Sequence, residues 1–90
     1  MAPEILHLLL VEDSPDDALL MQHALRQAGI ALSLQRVDCA ASMAAALDER
    51  QWDIVISDYN LPAFNGTDAL RLLREHSAET PFIVLSWTTR

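Results

Sequence analysis

The segment Ile5-Leu6-His7-Leu8-Leu9-Leu10-Val11 is almost continuously apolar and stops abruptly at Glu12-Asp13. An unbroken apolar run of this length fits a strand buried on both faces, as parallel strands are. Trp52 to Asp58 repeats the pattern, a β-branched run that finishes in an acid, and Pro81 to Ser86 is a fourth apolar strand that finishes in a hydroxyl. Leu32 to Val37 has β character of another kind, with Leu32 and Leu34 alternating with Ser33 and Gln35.

Helical patterns fill the gaps between these strands. Ser14-Pro15-Asp16-Asp17 reads as a helix start, with a serine cap, a proline whose missing N–H is harmless in the first turn, and acids against the positive end of the dipole. The predicted helix runs from Pro15 to Ala28 with Ala18, Met21, Leu25 and Ala28 at helical spacing, and Gly29 supplies the stop. Ala41 to Arg50, rich in Ala, Met and Leu, predicts a second helix. Asn60 to Gly66 carries Pro62, Asn65 and Gly66 and reads as loop, and Thr67 to His76 as a third helix with Ala69, Leu70 and Leu73 on one side. The order is βαβαβαβ with short connections, so the strands should be parallel and joined by right-handed crossover helices.

The 90 residues fit one domain, and a half-hydrophobic composition with two Gly and four Pro fits a packed core. A net charge of −7 argues against nucleic acid or an anionic membrane surface as a direct partner, because both repel such a chain. All six basic residues are Arg. Cys39 has no partner for an internal disulfide, no signal segment opens the chain, and no apolar run approaches the roughly 20 residues that span a bilayer. A cytoplasmic location is the resulting expectation.

In an open parallel sheet, ligands bind beyond the carboxyl ends of the strands, near the point where strand order reverses. Glu12 and Asp13, Asp58, and Ser86 all fall at that edge. Three carboxylates brought together oppose one another's ionisation, and a bound divalent cation is the natural resolution. Oxygen ligands without a Cys or His cluster indicate Mg²⁺, Ca²⁺ or Mn²⁺. Mg²⁺ is the expectation, since it takes one or two carboxylates plus a phosphate oxygen and leaves a carboxylate free to attack phosphorus.

Val11-Glu12-Asp13-Ser14-Pro15, Ser57-Asp58-Tyr59-Asn60-Leu61-Pro62 with Gly66, and Pro81-Phe82-Ile83-Val84-Leu85-Ser86 resemble, in order and spacing, the receiver domains of two-component response regulators. The resemblance implies a flavodoxin-like (CheY-like) doubly wound parallel sheet over residues 1–90, a single receiver domain that stops after its fourth strand. It implies that Asp58 accepts a phosphoryl group from a histidine kinase or phosphotransfer protein. Glu12, Asp13 and Asp58 would hold Mg²⁺ together with the Asn60 backbone carbonyl, and the Ser86 hydroxyl would bind a phosphoryl oxygen as a switch. Such a module is a phosphoacceptor rather than a turnover enzyme. The chain departs from the family in having no lysine to pair with the phosphoryl group, and in placing Trp87 where a small residue is usual. An exposed edge strand at Phe82 to Ser86 would favour association with a second copy.

Two other readings stand beside this one: a degenerate module that only mediates interaction or dimerisation, and a Mg²⁺-dependent phosphohydrolase. The latter would need a second acid two residues after the nucleophile, where this chain has Asn60. His7, His23 and His76 lack ligand spacing and are assigned no chemistry. Asp16, Asp17 and Asp53 are read as helix-start or strand acids, and Cys39 as a small packed residue. Trp52 and Phe82 are expected in the core, and Tyr59 and Phe64 are candidates to face a partner.

Overall fold

A computed structural model of the chain describes residues 4–59, 61 and 63–85. Seven elements alternate as predicted: β1 (Leu6–Val11), α1 (Pro15–Gln27), β2 (Leu32–Val37), α2 (Ala40–Glu49), β3 (Ile54–Asp58), α3 (Gly66–His76) and β4 (Phe82–Leu85). The strands form one parallel sheet in the order β2-β1-β3-β4. This is the flavodoxin-like arrangement.

The unbroken apolar run of β1 follows from its central position, with helices covering both faces. Leu8 and Leu10 join Ala18, Leu32 and Ile56 in the core beneath α1, where Met21 and Leu25 also pack. Leu9 and Val11 point the other way, into a larger core with Met43, Ala46, Val55, Ala69 and Leu73 beneath α2 and α3. Successive residues of a strand face opposite sides, so the stretch Leu8 to Val11, buried on both faces, has no position for a polar side chain until the strand leaves the sheet. Glu12 is where β1 leaves it.

The helix ends are closed by side chains and backbone. The Ser14 Oγ accepts a hydrogen bond from the Asp17 N–H at 3.2 Å, capping α1. At its far end Gly29, with φ of 90°, donates its N–H to the Arg26 carbonyl, and Ile30 donates to the Leu25 carbonyl. These two bonds make a Schellman motif, and the left-handed turn explains the glycine. Asn65 caps α3 by accepting from the Asp68 N–H at 2.9 Å. A Cβ on Gly66 would lie 3.2 Å from Val84 Cγ2, so the first turn of α3 sits flush against β4.

Several sequence expectations are corrected. Cys39 is an exposed N-cap rather than a packed residue: its Sγ accepts from the Ser42 N–H at 3.5 Å, and the Ser42 Oγ accepts from the Cys39 N–H at 3.3 Å. This reciprocal capping box draws the start of α2 back to Ala40. Phe64 is buried in the core beneath α2 and α3 rather than presented to a partner. Ala28 is exposed beyond the end of α1, and Leu70 is exposed while Leu72 packs against the core in its place. Trp52 is buried as expected but precedes β3, and its indole N–H donates to the Ala46 carbonyl at 2.9 Å.

Candidate functional site

Strand β1 lies between β2 and β3, so the chain winds outward in one direction through β2 and in the other through β3 and β4. The carboxyl ends of β1 and β3 therefore flank the switch point of the sheet, the place where open parallel sheets hold ligands in a crevice. Val11 is paired with Ser57, which sets the next residues, Glu12 and Asp58, side by side at this edge.

Ligand oxygens of Glu12, Asp13 and Asp58 all lie within 4.8 Å of one another. Glu12 and Asp58 are buried, at 1% and 4% exposure, while Asp13 is exposed, so the cluster has a dry floor and one open side. The Glu12 Oε1 accepts from the Ser14 N–H at 3.0 Å, and its Oε2 is buried with no hydrogen-bond partner among the described residues. Burial, and then the Asp58 carboxyl beside it, push the Glu12 carboxyl up from 4.5 to about 8.

A buried carboxyl oxygen with no hydrogen-bond partner among the described residues, inside a group of three acids, is a feature that a hard cation relieves. The donor set consists of carboxylate oxygens, with no Cys or His in the cluster. It fits Mg²⁺ better than zinc. The three acids named from the sequence are thus brought together, whereas Asn60, Ser86 and Trp87 lie outside the described residues. None of the three histidines joins the cluster. His76 instead pairs with Asp48 across α3 and α2 at 3.1 Å. Tyr59 exposes its side chain, and its N–H donates to the Leu85 carbonyl at 2.8 Å.

One residue at this edge was not singled out from the sequence. The Arg36 Nη1 donates to the backbone carbonyl of Glu12 at 3.1 Å and stands 3.6 Å from the Asp38 carboxylate. Its signal is a basic residue near the end of an otherwise ordinary alternating strand, and nothing in that alternation points across to β1.

Residues 8–90 match the family model described as the response regulator receiver domain. The chain belongs to this family. Among curated proteins, the receiver domain is 32% identical over 80 residues to an uncharacterized transcriptional regulatory protein, YkoG, of Bacillus subtilis, a match covering 89% of this chain and 34% of that protein. It is 31% identical over 80 residues to the transcription factor SKN7 of Saccharomyces cerevisiae, covering 89% of this chain and 12% of that one. The chain therefore spans about a third of the first relative and about an eighth of the second.

Among solved structures, the receiver domain superposes on a response regulator from Hahella chejuensis with a TM-score of 0.79 at 29% identity, covering 94% of this chain and 66% of the other. It superposes on the receiver domain of the sensor histidine kinase PA1611 of Pseudomonas aeruginosa with a TM-score of 0.74 at 26% identity, covering 92% and 68%. That structure has a magnesium ion coordinated in its active-site cleft. Among the described residues of the present chain, no helix is long and apolar enough to cross a membrane.

Proposed function

We propose that this receiver domain holds Mg²⁺ between Glu12, Asp13 and Asp58 and accepts a phosphoryl group on an Asp58 carboxylate oxygen from the phosphohistidine of a histidine kinase or phosphotransfer protein. The observation that carries the reading is the convergence of the three acids within 4.8 Å at the switch point, two of them buried. The magnesium ion in the active-site cleft of the Pseudomonas receiver domain supports it.

The cation, when bound, supplies positive charge against the phosphoryl oxygens and the crowded carboxylates. The chain's own residues divide the remaining work. Exposed Asp13 offers oxygens on the open side of the crevice, and Glu12, fixed by the Ser14 N–H, offers its donor-free Oε2 from below. Asp58, at the end of a central strand, has little freedom to move, which favours in-line attack. In the transfer, the Asp58 oxygen forms the new bond to phosphorus as the phosphorus–nitrogen bond breaks. The imidazole nitrogen keeps the electron pair and takes up a proton. The Asn60 carbonyl as a further ligand and the Ser86 hydroxyl as the partner of a phosphoryl oxygen complete the proposal, as family resemblance implies.

On this reading the chain is a single cytoplasmic signalling domain that acts on itself and turns over no separate substrate. Incubation with Mg²⁺ and a small phosphodonor should yield acid-labile phosphate on the wild type and none on Asp58→Asn. Phosphate-free wild type under these conditions would decide for an interaction module, and sustained hydrolysis of a phosphate ester would decide for a phosphohydrolase.

A second copy is the proposed partner for the outer strand. Ile83, Val84 and Leu85 are each about two-fifths exposed along β4, an apolar border that a second chain would cover. Light scattering should show a mass that rises with concentration, and a constant monomer mass would refute the association.

A further inference from the structure

We infer that Arg36 is a positioning residue for the metal site, holding the Glu12–Asp13 peptide at the angle that lets both acids reach one cation. The inference rests on the reading of Glu12, Asp13 and Asp58 as a Mg²⁺ site. Both backbone groups of Glu12 are gripped by the neighbouring strand β2. Its N–H donates to the Val37 carbonyl at 2.9 Å, and its carbonyl accepts from the Arg36 guanidinium at 3.1 Å. The first bond is ordinary sheet pairing. The second is made by a side chain, just past the last residue pair of the two strands, Val11 and Val37.

The Glu12 carbonyl belongs to the peptide plane from which the Asp13 Cα departs. Fixing that plane limits how far the exposed Asp13 side chain can swing from the buried Glu12 and Asp58. The Ser14 N–H bond to Glu12 Oε1 completes the grip, so the acidic turn is held at three points over three residues. Asp38 steadies the guanidinium from the outer side at 3.6 Å, and the arginine side chain is 32% exposed against 50% for the aspartate. Groups that orient ligands without touching the metal commonly contribute tenfold or more to affinity.

Two effects of Arg36 on the cation oppose each other, and their signs separate them. A guanidinium close to the site repels Mg²⁺, so on charge alone its removal would tighten binding. The facing Asp38 carboxylate offsets much of that charge, which leaves the hydrogen bond as the larger effect. Removal of Arg36 therefore weakens Mg²⁺ binding.

The test compares Mg²⁺ affinity by calorimetry for the wild type, Arg36→Met, Arg36→Lys and Asp58→Asn, with thermal unfolding in chelator as the metal-free control. Arg36→Met should raise the Mg²⁺ dissociation constant about tenfold while leaving the metal-free midpoint close to wild type. Arg36→Lys, which keeps a donor of similar reach, should recover most of the loss. Equal or tighter binding by Arg36→Met overturns the inference, and so does an Arg36→Met protein that is unfolded without metal, since the residue would then be structural. A wild type that binds no Mg²⁺, indistinguishable from Asp58→Asn, fails at the level of the site itself and overturns both readings together.

Discussion

Where the strands of this sheet begin, several charged and polar groups meet complements, although the buried His7 Nδ1 has no partner among the described residues, and where β1 and β3 finish, carboxylates meet carboxylates. At the first rim the Asp53 carboxylate accepts from the His7 N–H at 2.7 Å, and the Asp53 N–H returns a bond to the His7 carbonyl at 2.9 Å. The Arg50 guanidinium lies 5.5 Å from the centre of the Trp52 ring, His76 meets Asp48, and Arg74 donates to the carbonyls of Ser77 and Thr80. At the second rim Glu12, Asp13 and Asp58 crowd one another, and two of the three are shielded from water. The same four strands thus carry one rim where acids meet donors and one where three acids meet one another. Crowding of this kind is tolerated where a ligand relieves it, which is why the proposed function is placed at the second rim.

If the rims are independent, damage at the first should leave the second working. Trp52→Ala removes a buried ring and its bond to the Ala46 carbonyl, and should destabilise by about 3–5 kcal/mol in urea unfolding. Mg²⁺ affinity measured well below the unfolding transition should stay within about twofold of wild type, below roughly 0.5 kcal/mol of coupling. A large loss of affinity in the folded variant would show that the two rims are coupled through the core.

The pH dependence of stability sharpens the contrast from the other side. Glu12 holds its proton to about pH 8 in the folded chain and to about 4.5 when unfolded. Between these values the unfolded chain releases a proton that the folded chain keeps, so metal-free stability should decline as pH rises through that window. The total decline should amount to a few kcal/mol, and it should be shallower in Asp58→Asn, where the neighbouring charge is gone. Saturating Mg²⁺ should flatten it further. A metal-free profile that is level from pH 5 to 8 would remove the conflict attributed to the second rim.

The smallest expected effect belongs to a surface pair at the first rim. His76→Gln loses the contact with Asp48 and should destabilise by only about 0.3–0.5 kcal/mol in the same unfolding assay, because exposed pairs contribute little. A loss above roughly 1 kcal/mol would mean that this pair contributes to holding α3 against α2 well beyond an ordinary exposed pair.

The order of elements and the three acids were legible in the sequence because their signals are local. Apolar runs that stop at Glu12 and Asp58 report both the burial of a strand and the edge at which it ends. The alternation of β2 and the Ser14-Pro15 start of α1 came through for the same reason. What escaped depends on contacts between distant segments or on unusual substitutes. Arg36 acts across 24 positions of sequence, and Asp53 across 46. Cys39 was misread because sulfur seldom stands in for a capping hydroxyl, and only Ser42 at the third helical position reveals the box. Phe64 lies in a segment rich in turn-forming residues whose composition suggests exposure, yet Phe64 and Leu61 both join the core beneath α2 and α3.

The bond from the Tyr59 N–H to the Leu85 carbonyl joins the backbone immediately after Asp58 to the last residue of β4. Two neighbourhoods that differ in chemistry, an acidic crevice and a greasy outer border, in this way share a pin, the last rung of the ladder between β3 and β4. A body resting along Ile83 to Leu85 that pulls on this pin would be felt at the crevice. By reciprocity, an event in the crevice that pulls on it would alter the grip on that body by the same factor.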